Sequence, residues 1–169
     1  AECRLRLDSS LRGPPISSAL GARSIMRPFI KFEQVWCDDN ITELRVTVNN
    51  GYSIFSNKVY LAATKLAELH ESLLSFRTHY YGGLKDINFG AFGSEYANGA
   101  FSARFHFPKP GNLHISTMQQ SKFFEFKGKD VASEAKMYLI TEPALLDNFI
   151  NELKSLSTMS CKEAELICT

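Results

Sequence analysis

His106 and His114 are the residues whose type and spacing first invite a chemical reading. They flank Pro108, Lys109, Pro110, Gly111 and Asn112. That run stops a strand, because proline removes a backbone donor and glycine frees φ. With Pro110 at a hairpin tip, the two imidazoles fall opposite each other, an arrangement able to hold a metal. Structural zinc takes four ligands, and catalytic zinc three plus water. Nothing near in sequence supplies the others, so the pair reads as a solvated face and no metal is expected. The remaining reactive types form no set. No serine lies in a G-x-S-x-G elbow, and Gly90, Gly93 and Gly99 lack the spacing of a phosphate loop. Asp38 and Asp39 are adjacent carboxylates, but with Asn40 they have the composition of a turn. The chain is read as having no enzymatic constellation and no cofactor.

Two loops stand out for another reason. Residues 78–83 contain His79, Tyr80 and Tyr81, and residues 93–99 contain Glu95 and Tyr96. Exposed tyrosine is favoured at protein interfaces, where the ring buries area and the hydroxyl bonds. If every strand reverses the chain, the Asp38-Asp39 turn and the Glu95-Tyr96 loop share one end of a sheet. That end is acidic with an aromatic. The Asn50-Gly51 turn, the Tyr80-Tyr81 loop and residues 108–112 share the other, which is aromatic and near neutral. Asp38, Asp39, Glu95 and Tyr96 are the candidate protein-binding residues.

The elements that carry these loops follow from periodicity. Phe101, Ala103, Phe105 and Phe107 alternate with Ser102, Arg104 and His106, and Leu113, Ile115 and Thr117 resume the alternation. A period of two marks strands with one buried face. Phe29 to Trp36 and the Leu44, Val46, Val48 series read the same way. Asn50-Gly51 is a hairpin signal of type I′, which needs positive φ at both central positions. Residues 62–76 switch to helical spacing, with Leu66, Leu69, Leu73 and Phe76 on one face. Residues 84–92 read as a strand, and Phe123 to Phe126 and Ala135 to Leu139 as two more. Thr141-Glu142-Pro143 opens a last helix, with threonine as its cap and proline in its first turn. Leu145, Leu146, Phe149, Ile150, Leu153 and Leu156 give it a wide apolar stripe. The expectation is an α+β domain: an antiparallel sheet of about six to eight strands with two helices packed on one face. Phe105 is expected beneath the last helix, near Phe149.

Charge and composition bound the rest. The chain has 169 residues, 13 of them phenylalanine, and net charge +1. Residues 1–25 carry +2, residues 26–156 are balanced at 14 basic and 14 acidic side chains, and residues 157–169 carry −1. A neutral core gives no basic stripe, so nucleic acid is not expected as a partner. No apolar run approaches the roughly 20 residues a membrane span needs. Cys3, Cys37, Cys161 and Cys168 include no C-x-x-C pair, which argues against a disulfide framework or zinc site and for a reducing cytoplasm. Three segments result: 1–25 disordered, 26–156 a single α+β domain, and 157–169 a flexible tail. The arginines and serines of the first hint at an organelle transit peptide, against which stand Glu2, Asp8 and a residue 1 that is not methionine. It is read as an upstream extension before a start at Met26.

FEQVWCDDNITELRVTV, the VYL step into LAELHESLLSF, INFGAFG, ARFHF and ITEPALLDNFINEL occur in this order. Through them the chain from Met26 to Leu156 resembles a family of small bacterial immunity proteins, the WapI-like group. These are named for the inhibitor of a wall-associated contact-dependent toxin. Where that pattern places Gly-His before the second strand of the later hairpin, this chain has Gly111-Asn112-Leu113-His114. The resemblance implies a cytoplasmic antitoxin that binds the toxic domain of a polymorphic toxin, often a nuclease, and blocks it by occlusion. The alternative is a small-molecule-binding α+β domain with a pocket between helices and sheet.

Overall fold

The computed structural model describes residues 26–79, 81–96 and 98–169. The expectations for residues 1–25 and for Tyr80 lie outside the described residues. Strands β1 (Phe29–Cys37), β2 (Ile41–Asn49) and β3 (Ile54–Ala62) form a meander, followed by helix α1 (Lys65–Phe76). Strands β4 (Leu84–Phe89), β5 (Ala100–Lys109) and β6 (Asn112–Gln120) form a second. A short ribbon, β7 (Phe124–Phe126) and β8 (Lys129–Val131), precedes β9 (Glu134–Thr141), helix α2 (Pro143–Ser157) and β10 (Glu163–Ile167). All the strand pairs are antiparallel, so the class is α+β as the periodicity predicts.

The single sheet of the sequence reading is instead split. One four-stranded sheet has the order β10-β1-β2-β3, another has β4-β5-β6-β9, and the ribbon stands apart. Each four-stranded sheet buries one face and exposes the other, the alternation a half-buried sheet requires. The inner faces share one core with the helices. Phe32 of the first sheet meets Phe89 and Phe101 of the second at ring separations of 5.5 and 5.8 Å, and Phe149 of α2 at 5.6 Å. These edge-on geometries are the ones aromatic quadrupoles favour. Phe105 is buried, but beneath α1 rather than α2. Its ring partner is Phe76 at 6.4 Å, while Phe76 stacks on Phe107 at 5.2 Å. These rings pack in the core that the helices share with the sheets.

Two seams stitch the sheets together. At one, Asn57 on β3 donates from Nδ2 to the carbonyls of Ala100 and Gln120 at 3.0 and 2.9 Å. Gln119 donates from Nε2 to Asn57 Oδ1 at 2.7 Å and to the Val46 carbonyl at 3.1 Å. Buried amides survive only when paired, and these pair across the gap. At the other, the Thr141 hydroxyl donates to the Ile167 carbonyl at 2.7 Å, and the Thr169 amide to Ile140 at 2.8 Å. Thr141 therefore belongs to a strand seam and does not cap α2. The N-cap is Glu142, without a side-chain bond, and Pro143 opens the helix.

The expected tail is a correction. Residues 163–167 pair with β1 from Phe29↔Ile167 to Glu33↔Glu163. Ala164, Leu166 and Cys168 are buried in the core, so the domain runs past residue 156. The physical reason is local alternation, with Glu163 and Glu165 outward and Ala164 and Leu166 inward. The hairpin at Asn50-Gly51 is present but wider than a type I′ turn. Gly51 has φ of 86° while Asn50 does not enter the positive region, and Asn50 Oδ1 accepts from Tyr52 and Ser53.

Candidate protein-binding surface

The outer face of the first sheet is an ordered grid. Glu33, Arg45 and Lys58 form one cross-strand row, and Arg45 Nη1 lies 3.0 Å from both carboxylate oxygens of Glu33. The next row toward the Asp38 turn is Trp36, Glu43 and Tyr60. Trp36 reaches this face through a β-bulge: Gln34 pairs with Leu44 and Trp36 with Glu43, leaving Val35 unpaired. Straight alternation from Ile30 and Phe32 would turn Trp36 inward. One extra residue reverses the side. The indole is 50% exposed and the Tyr60 side of the row 44%.

Glu43 sits between these two aromatics, its side chain only 14% exposed. Its Oε1 accepts from the Tyr60 hydroxyl at 3.1 Å and from Lys58 Nζ at 3.3 Å. The hydrogen bond to Glu43 raises the Tyr60 phenol above its ordinary pKa, with the negative charge of Glu43 adding to it. Ile41, at the edge of the row, is also exposed.

The Asp38-Asp39 turn closes this end of the sheet. Asp38 Oδ1 accepts from the amides of Asn40 at 2.8 Å and Ile41 at 2.7 Å. Those two amides, Asn40 first, hold the Asp38 carboxyl below the usual carboxylate range. Asp38 is thus the fastener of its turn, and Asp39 is the exposed carboxylate beside it.

Glu95 and Tyr96 are elsewhere. Their loop joins β4 to β5 of the second sheet, where the Gly93 amide donates to Gln120 Oε1 at 3.1 Å. Gly99 at the loop base abuts the backbone of Lys58, and a Cβ there would meet the Lys58 carbonyl. Lys58 is four residues from the end of β3, about 13 Å along the strand from the Asp38 turn. The four predicted residues therefore divide into two sites on different sheets. Trp36 and Tyr60 were missed as candidates. Tyr60 had a signal, since Val59 and Leu61 alternate with it. Trp36 had none without the bulge.

His106 and His114 do lie opposite each other, as the hairpin predicts. Among the described residues, no group of three or more His, Cys, Asp or Glu is placed to hold a metal. None of the described helices is long and apolar enough to cross a membrane. Compared with protein-family models, with curated proteins and with solved structures, the chain matches none.

Proposed function

We propose that the chain is an immunity protein that binds and occludes the toxic domain of a bacterial polymorphic toxin. The observation that supports this is the outward-turned Trp36, set with Tyr60 and Ile41 around Glu43 and beside Asp38 and Asp39. Binding hot spots are enriched in tryptophan and tyrosine that desolvate on contact. Carboxylates beside them suit a basic partner, because opposite potentials steer encounter and fix register. The active cleft of a nuclease, built to hold a polyanion, is such a surface. An inhibitor of this kind acts in the cytoplasm, where the toxin would do its damage, and needs no chemistry of its own.

The test is co-purification with the product of the adjacent gene, followed by titration of that protein's C-terminal domain. Trp36→Ala is expected to weaken binding by at least about 30-fold, the loss of one hot spot of about 2 kcal/mol. Asp39→Lys should slow association at low salt while leaving the fold intact. Asp38 is a poor probe, because its substitution opens the turn. An adjacent gene product that does not bind, or that binds Trp36→Ala and Tyr60→Ala as well as the parent chain, overturns the proposal.

A further inference from the structure

The outer face of the second sheet carries a different chemistry. Cross-strand register sets its residues in two adjacent rows: Leu84, His106, His114 and Ile140, then Asp86, Arg104, Ser116 and Tyr138. Arg104, His106, His114 and Ser116 are thus the four corners of one block. Directly opposite residues have Cβ atoms about 5 Å apart. Against this block lies a groove of about 440 Å³, lined also by Tyr138 and Ile140 and by Pro28, Asn50 and Thr169, which flank strands of the first sheet. Arg104 spends Nε and Nη2 on Asp86, at 2.7 and 2.9 Å, which leaves Nη1 for a ligand.

We propose that this groove is a binding site for a small phosphate monoester. The phosphoryl oxygens fit the block, where a guanidinium, two imidazoles and a hydroxyl converge with the Asn50 amide beside them. Charged hydrogen bonds of this type are the strong ones. The organic body of the ester lies on Tyr138, whose ring is 65% exposed and carries Lys136 at 5.7 Å from its centroid. The charged and titratable groups facing the block are Arg104, Asp86, His106, His114, Tyr138 and Lys136. Arg104 Nη1 and Lys136 bring positive charge to the ester, and the imidazoles of His106 and His114 with the Ser116 hydroxyl supply further hydrogen-bond donors. The site is separate from the aromatic row of the first sheet and stands or falls apart from it.

The experiment is an NMR titration of the full chain with phenyl phosphate and with inorganic phosphate, read at the histidine rings and at the Ser116 and Asn50 amides. Saturable shifts at these positions are expected. Phenyl phosphate should also bind several-fold tighter than inorganic phosphate, an advantage that Tyr138→Ala removes. Asp86→Asn with Arg104→Gln keeps the pair neutral, and should abolish binding. No saturable shift, equal binding of the two phosphates, or undiminished binding by the paired variant overturns the proposal.

Discussion

The amide cluster between the sheets makes a quantitative prediction about unequal partners. Asn57→Leu keeps the side-chain shape and removes three hydrogen bonds: two donated to the Ala100 and Gln120 carbonyls and one accepted from Gln119. At a net worth of about 1 kcal/mol per bond, offset in part by leucine burial, the expected loss is about 2–3 kcal/mol. Gln119→Leu removes only two bonds, those to Val46 and Asn57. It also removes Oε1, a buried oxygen with no hydrogen-bond partner among the described residues. The relief from that removal is cancelled by the buried Asn57 Oδ1, which loses its Gln119 donor and is left unpaired in turn, so the expected cost is that of the two bonds, about 2 kcal/mol. The bond shared by the two side chains is lost in either single variant. The double variant should therefore cost about 1 kcal/mol less than the sum of the singles. Urea unfolding of the four proteins, analysed as a two-state transition with a common slope, measures all three quantities. Gln119→Leu proving more damaging than Asn57→Leu, or strictly additive losses, would refute the reasoning.

Two further predictions concern the first sheet. Deleting Val35 removes the bulge and returns Trp36, the single tryptophan, to the inner side of β1; acrylamide quenching of its fluorescence should fall sharply, and unchanged quenching would contradict the register argument. Burial pushes the Cys168 thiol up to about 12. It should resist labelling in native protein at pH 8, where Cys37 and Cys161 are more accessible. The folded pKa lies above the unfolded one, so its stabilisation is full below about pH 8.5 and is lost as pH rises toward 12, at about 1.4 kcal/mol per pH unit.

Strands with strict alternation were legible because one face is buried and the other wet. Residues 101–107 and 113–117 gave the later hairpin, and with it the opposed histidines. The helices were legible from Leu66, Leu69, Leu73 and Phe76, and from the stripe of α2. The split into two sheets was not, yet it left a trace. Asn57 and Gln119 occupy inward positions where apolar residues are the rule, and buried amides there imply partners across a gap. Strand β10 was hidden by brevity and by its glutamates, although Glu163, Ala164, Glu165 and Leu166 alternate. The outward indole could not be read at all, since period counting assumes an unbroken strand and a bulge breaks it. The grouping of Asp38 with Glu95 failed for a topological reason: it assumed one sheet, and the loops belong to two.

The pairing of β1 with β10 also sets a timetable for synthesis. The first described strand leaves the ribosome early and gains β2 as soon as the following hairpin emerges. Its other edge must wait for residues 163–167, after both helices and the whole second sheet have been made. During that interval β1 offers a bare row of amides and carbonyls, the feature through which nascent chains pair with the wrong neighbour. Lys31 and Glu33 alternate along that strand, and charges on an exposed strand deter such pairing. A chain cut short before Glu163 would keep the open edge for good, and its fate is expected to be aggregation rather than a slightly weakened fold.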